Sequence, residues 1–203
     1  MTEAPAALAI AVAARVPVLL WGAPGTGKSS VVRDLADAMG WPCEVVIASI
    51  REPSDFAGLP VVVEGGVRFA PPSWATHLVE SGNGVLFLDE ISTAPPAVQA
   101  ALLRVVLERT VGDIALPADV VVVAAANPPD QAADGWDLSA PLANRFCHLD
   151  WAVDASSVAA GFVTGTSLIV DGGITIGPRH SWDPSMPGMF DALQQMADAG
   201  QPA

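Results

Sequence analysis

The tightest constraint on this chain is an eight-residue stretch, Gly22-Ala23-Pro24-Gly25-Thr26-Gly27-Lys28-Ser29, which fits the pattern G-x-x-x-x-G-K-[ST] and holds the only lysine in 203 residues. Its three glycines let the backbone aim several N–H groups at one point, and a helix beginning at its end adds the positive pole of its dipole. The ammonium of Lys28 supplies a compact charge and the Ser29 hydroxyl a hard oxygen, so the loop suits phosphate oxygens and Mg²⁺. A glycine-rich turn without a ligand would spell the same letters, and the flanks argue against it. Residues 16–21 read as a buried strand, while Val31, Val32, Leu35, Ala36 and Met39 recur at helical spacing behind the loop.

Further apolar runs at 44–49, 85–88 and 120–126 lack clean polar alternation, as expected of parallel strands covered on both faces. A weaker strand is expected at 147–151. Helical patterns fall between them at 29–39, 73–80, 95–108 and about 140–146. The third places Val98, Ala101, Leu102, Val105 and Val106 on one stripe behind Pro95-Pro96. This alternation predicts an α/β fold, a doubly wound parallel sheet with helices on both faces. Residues 61–69 and, more weakly, 110–116 read as hairpins, the first either facing a partner or lying plainly at the surface. Glycine and proline become frequent after Asp150, so the expected division is a main domain over 1–151 and an atypical tail over 152–203.

Composition narrows the partners. Hydrophobic residues at 51% argue against wholesale disorder, and 22 acidic against nine basic residues, a net charge of −13, disfavour nucleic acid and anionic membranes. Cys43 and Cys147 stand far apart, and with only His77, His148 and His180 they give no zinc-binding spacing, so two buried, reduced thiols are expected. The apolar stretch 6–14 resembles a signal-peptide core. However, Glu3 stands where a signal carries a base, and Arg15 and Pro17 interrupt the run before membrane-spanning length. A helix packed on the main domain of a cytoplasmic protein is expected instead.

Asp89 and Glu90 close the apolar run 84–88, at the strand end where α/β sheets hold ligands. In an ATPase the first acid would hold Mg²⁺ through water and the second would polarise the attacking water. Alone, the pair also fits two solvated turn residues. Asn127 ends the run 120–126, where its amide can reach a γ-phosphate or the attacking water; before Pro128-Pro129 it also fits a turn former.

Taken in order, residues 22–29, Asp89-Glu90-Ile91-Ser92-Thr93-Ala94-Pro95-Pro96, Glu108-Arg109-Thr110-Val111, Ala126-Asn127-Pro128 and Leu142-Ala143-Asn144-Arg145-Phe146 resemble the AAA+ ATPases of the P-loop NTPase class. The stretch from Asp89 is most similar to the MoxR branch. The resemblance covers about 16–151. It implies ATP and Mg²⁺ as ligands, a phosphate loop of Gly22, Ala23, Pro24, Gly25, Thr26, Gly27, Lys28 and Ser29, and Ser29 with Asp89 at the metal. It further implies Asp89 and Glu90 as the Walker B pair, Asn127 as sensor 1, and Arg145 as an arginine finger reaching a neighbouring subunit. A head-to-tail ring, commonly hexameric, and partner proteins with von Willebrand factor A domains follow from the same resemblance. Read without it, Arg145 is an ordinary cation at a helix C-terminus.

The pattern departs from the family after 152, where a helical lid with a second sensor arginine is expected to be absent or replaced. Residues 162–173 resemble the closing segment of a short-chain dehydrogenase. An oxidoreductase of that class needs a Y-x-x-x-K pair; the chain has no tyrosine, and its one lysine lies in the phosphate loop. A nucleotide-binding scaffold with little turnover is the remaining alternative to an ATPase.

Overall fold

The computed structural model describes residues 3–128 and 136–152. Helix α1 (Glu3–Ala13) leads into strand β1 (Val18–Trp21), helix α2 (Lys28–Met39) and strand β2 (Cys43–Ile47). A 3-10 turn (Ala48–Ile50) and the short helix α3 (Ser54–Ala57) precede a hairpin of β3 (Leu59–Val63) and β4 (Gly66–Ala70). Helix α4 (Ser73–Ser81), strand β5 (Asn83–Asp89), a second 3-10 turn (Ile91–Thr93) and helix α5 (Pro96–Glu108) follow. A smaller hairpin, β6 (Thr110–Val111) and β7 (Ile114–Ala115), leads to β8 (Asp119–Ala126), then α6 (Ala140–Ala143) and β9 (Cys147–Asp150).

The central sheet has the order β2-β5-β8-β1-β9, and every neighbouring pair is parallel. From β1 the chain runs to the far edge at β2, returns through β5 and β8, and places β9 beyond β1. Strand β1 is therefore flanked by strands reached from opposite sides, which opens a crevice at the carboxyl ends of the strands. The phosphate loop leaves β1 at that end.

Alternation along each strand divides one sheet between two cores. Leu19, Leu86, Leu88, Val122 and Ala124 face α4 and α5, whereas Val18, Leu20, Val85, Phe87, Val121 and Val123 face α1 and α2. Both sets are buried, which is why the sequence shows apolar runs rather than alternation. Helix α5 fills the first core with Val98, Leu102 and Val105, each worth about 1.5–3 kcal/mol on burial. Helix α1 docks Leu8 and Val12 in the second core, as expected for the apolar N-terminal stretch. Among the described residues no helix is long and apolar enough to cross a membrane.

Several expectations shift: β1 begins at Val18 rather than at 16, β5 extends to Asn83–Asp89, and of the two thiols expected to be buried Cys43 is half-buried and Cys147 exposed. Two further boundaries have a visible cause. The second strand stops at Ile47, because Ala48–Ile50 wind into a 3-10 turn that buries Ala48. The helix expected over 140–146 ends at Ala143: Phe146 turns into the core, and the Cys147 N–H donates to the Pro17 carbonyl at 2.7 Å to begin pairing with β1. The tail beyond 152, with its expected loss of a lid and its dehydrogenase-like stretch, lies outside the described residues.

Both expected hairpins form, the first from Leu59 to Ala70, and they are joined to each other. The Asp113 N–H donates to the Phe69 carbonyl at 3.1 Å, and the Asp113 carboxylate accepts from the Phe69 N–H at 2.8 Å. Between them Gly112 adopts φ 56°, with the position of a β-carbon only 2.5 Å from the Phe69 carbonyl oxygen. Gly112→Ala is therefore expected to destabilise the protein by about 1–3 kcal/mol, measured by denaturant unfolding, with nucleotide affinity unchanged.

Candidate functional site

The phosphate loop is shaped by its glycines and held by the sheet. Gly25 and Gly27 take φ of 75° and 77°, the left-handed region, and Gly27 leads directly into α2 without any side chain capping that helix. The backbone N–H groups of residues 25–29 meet no acceptor among the described residues. They form a cluster of unpaired donors at the positive end of a helix dipole, the arrangement that receives phosphate oxygens. Gly22 is required by a close approach: a β-carbon there would collide with the Trp151 carbonyl oxygen. Trp151 in turn donates from its indole Nε1 to the Thr26 carbonyl at 3.0 Å, while its backbone N–H meets the Trp21 carbonyl at 2.5 Å. Trp151 thus ties the loop tip to the strand end, a role its position in the sequence did not disclose.

Lys28 lies under this loop at 8% exposure. Its ammonium donates to the carbonyls of Gly22 at 2.6 Å and Ala23 at 2.9 Å, and to Asn127 Oδ1 at 3.1 Å. Burial lowers its proton affinity from the ordinary lysine value, and the nearby Asp89 carboxylate offsets part of that effect. Ser29 Oγ donates to Asp89 Oδ2 at 2.7 Å. The hydroxyl and the carboxylate set two hard oxygens side by side, the donor types that Mg²⁺ takes and the two residues that would hold it.

Glu90 adopts φ 55°, left-handed for a residue with a side chain, and starts the 3-10 turn after β5. Its N–H donates to the Asp89 carboxylate at 2.9 Å, and its own carboxylate accepts a very short hydrogen bond from the Ser49 hydroxyl. Ser49 sits in the turn beyond β2, the next strand in the sheet. Sequence reasoning missed it, since a serine after an apolar run carries no motif. Asn127 follows β8; its side chain reaches Lys28, and its N–H donates to Ser92 Oγ at 3.3 Å. The structure therefore pairs Lys28 with Asn127 and Ser29 with Asp89 side by side at the start of α2, with Glu90 next to Asp89.

Arg145 stands apart. It is exposed, two residues past α6 and just before β9, and its side chain has no hydrogen-bond or ion-pair partner among the described residues. In the β1–β9 register Val18 pairs with Cys147 and Trp21 with Asp150. Arg145 accordingly enters the sheet at its amino end, whereas the phosphate loop leaves it at the carboxyl end. Arg109 is structural: it ends α5 at φ 53° and donates to the Pro117 and Val120 carbonyls, bracing the second hairpin against β8.

Residues 17–146 match the AAA domain, dynein-related subfamily. The chain belongs to this AAA family. Among solved structures, a candidate ATPase from Cytophaga hutchinsonii superposes with a TM-score of 0.58 at 26% identity, covering 80% of this chain and 50% of that one. Curated relatives of the AAA domain include "Pathogenicity locus probable regulatory protein WtsA" of Pantoea stewartii subsp. stewartii, 34% identical over 121 residues. The "Sigma54-dependent transcriptional regulator SfnR" of Pseudomonas fluorescens is 35% identical over 122 residues. These matches cover 56% and 54% of the present chain but only 38% of WtsA and 32% of SfnR. The match confirms the P-loop α/β architecture with its parallel five-stranded sheet.

The buried ammonium gives the AAA domain a pH signature. Lys28 binds its proton less tightly when folded, so between its lowered value and the ordinary 10.5 the unfolded chain holds more proton. The strain of burying the charge is fully present below the folded value and is relieved as pH rises through 10.5. In nucleotide-free protein, the stability of the wild type relative to Lys28→Met is expected to increase from neutral pH toward 10.5, followed by urea unfolding at several pH values.

Proposed function

We propose that this AAA domain binds ATP with Mg²⁺ and hydrolyses it, and that it is a cytoplasmic protein remodeller of the MoxR type. The observation that carries the reading is the convergence of Lys28, Ser29, Asp89 and Asn127, from the ends of three parallel strands, beneath a loop of unpaired N–H groups. Lys28 and the loop amides would bind the β- and γ-phosphates. Ser29 and Asp89 would hold Mg²⁺, which supplies charge neutralisation on the phosphate oxygens when bound.

Hydrolysis would then be an in-line attack by water on the γ-phosphorus, breaking its bond to the β–γ bridging oxygen and releasing ADP and phosphate. The Glu90 carboxylate takes the water's proton, and the Asn127 amide orients the water or the γ-phosphate it attacks. One oxygen of Glu90 accepts from the Ser49 hydroxyl, which would orient the carboxylate and leave its other oxygen for the water. Arg145 would act as the finger across an interface, a reading supported by its backbone standing at the amino end of the sheet, away from its own phosphate loop. That arrangement calls for a head-to-tail ring, a hexamer on the family pattern. The MoxR assignment and a partner with a von Willebrand factor A domain rest on the stretch from Asp89 to Pro96 and its family likeness.

Lys28→Ala is expected to abolish ATP binding, whereas Glu90→Gln should bind ATP normally and lose turnover; calorimetry paired with a phosphate-release assay reads both. Unchanged ATP affinity in the lysine variant would sink the assignment, and a wild type that binds ATP without turnover would favour a scaffold. For the finger, Arg145→Ala and Glu90→Gln subunits, each inactive alone, should recover turnover when mixed, and wild-type specific activity should fall on dilution. A mixture that stays inactive would overturn the shared site.

A further inference from the structure

Gln99 is, with Ser92, one of two buried polar side chains among the described residues that the proposed chemistry leaves unused, and it is the more deeply buried. It lies on α5 at 2% exposure, within the apolar core beneath the sheet. Its Nε2 donates to the Ala94 carbonyl at 3.0 Å and to the Asp137 carbonyl at 3.2 Å, and its Oε1 accepts from the Ser139 N–H at 2.7 Å. One amide thus joins two segments distant in sequence. Ala94 ends the 3-10 turn that starts at Glu90, and Ser139 is the residue before α6, whose last turn is followed by Arg145.

The apolar contacts of this region cannot set that geometry alone. Leu142 and Phe146 bury α6 and its exit, but hydrophobic burial is non-directional and tolerates sliding and rotation of a single helical turn. A buried amide with both ends satisfied is directional, and removing it leaves the buried Ala94 carbonyl unpaired and releases the part-buried Asp137 carbonyl and Ser139 N–H to other partners. The exit of α6 has a separate tether. His148 bonds the Ala143 carbonyl through Nε2 at 2.8 Å and accepts through Nδ1 from the indole of Trp21, the residue ahead of Gly22. The exposed guanidinium of Arg145 therefore hangs from backbone tied to the Glu90 turn at one end and to the entry of the phosphate loop at the other.

We infer that Gln99 is a positioning residue for Arg145, fixing α6 against the turn after Glu90 so that the finger is presented correctly to the neighbouring subunit. The inference rests on the reading of Arg145 as a finger in trans, and it separates two kinds of subunit in a mixed assembly. In a mixture of Arg145→Ala with Glu90→Gln, the former supplies the working site and the latter the finger. Adding Gln99→Met, which keeps the volume and removes the amide, to the Glu90→Gln subunit is expected to lower recovered kcat roughly ten-fold or more by misplacing the finger. KM for ATP should stay unchanged. Adding the same substitution to the Arg145→Ala subunit should leave recovered turnover unaltered, since that subunit donates no finger.

Equal loss in both arrangements would make Gln99 a general structural residue and overturn the inference, as would full turnover in both. If the parent mixture recovers nothing, the finger reading fails and the inference falls with it; recovery there with no donor-side effect removes the inference alone. Should Gln99→Met fail to fold, Gln99→Asn carries the same comparison, because it keeps the amide but shortens its reach.

Discussion

An ammonium taken out of water must be met by oxygens, and the burial of Lys28 organises everything around it. At 8% exposure it requires partners on several sides, which no single loop supplies. They come from the end of β1 through the Gly22 and Ala23 carbonyls, from the end of β8 through Asn127, and from the end of β5 through the charge of Asp89. Three strands must therefore finish at the same height, in parallel and adjacent order. The order β5-β8-β1 satisfies that demand, and its register holds Trp21 opposite Ala126. Lowered proton affinity is the residual cost of the arrangement, and phosphate is the charge that would relieve it.

The same sheet supports the members of the site unequally. Both faces of β5 and β8 are packed, so Asp89 and Asn127 are delivered by strands that have no room to shift. Glu90 falls one residue beyond this support, in a left-handed conformation that costs about 1 kcal/mol or more for a residue with a β-carbon. Strain of this kind persists only where surrounding contacts impose it. Here they are the bond from its N–H to Asp89, the Thr93 hydroxyl on its carbonyl at 3.0 Å, and Ser49 on its carboxylate.

Legibility in the sequence followed the range of the interaction. The phosphate loop, the acidic pair and Asn127 could be read because each is a local pattern, a strand end with a fixed chemical group. The strands and long helices could be read because burial on both sides or on one stripe leaves a periodic trace. Strand order could not, since nothing local tells β2 that it pairs with β5 rather than with β1. Ser49, Trp151 and Gln99 were missed for the same reason: each acts on a residue far along the chain, and serine, tryptophan and glutamine are unremarkable where they stand. The overlong helix at 140–146 failed through a competition that periodicity ignores, between one more helical turn and pairing of Cys147 with β1.

Arg145 exposes the limit of reading a site from one subunit. Its own domain gives it no ligand to meet: the guanidinium is exposed, and the register sets its backbone at the opposite end of the strands from Lys28. Yet the element that carries it is tied to both halves of its own nucleotide site, through Gln99 to the turn of Glu90 and through His148 to the strand of the phosphate loop. A displacement at either segment must be transmitted to α6 or break a hydrogen bond.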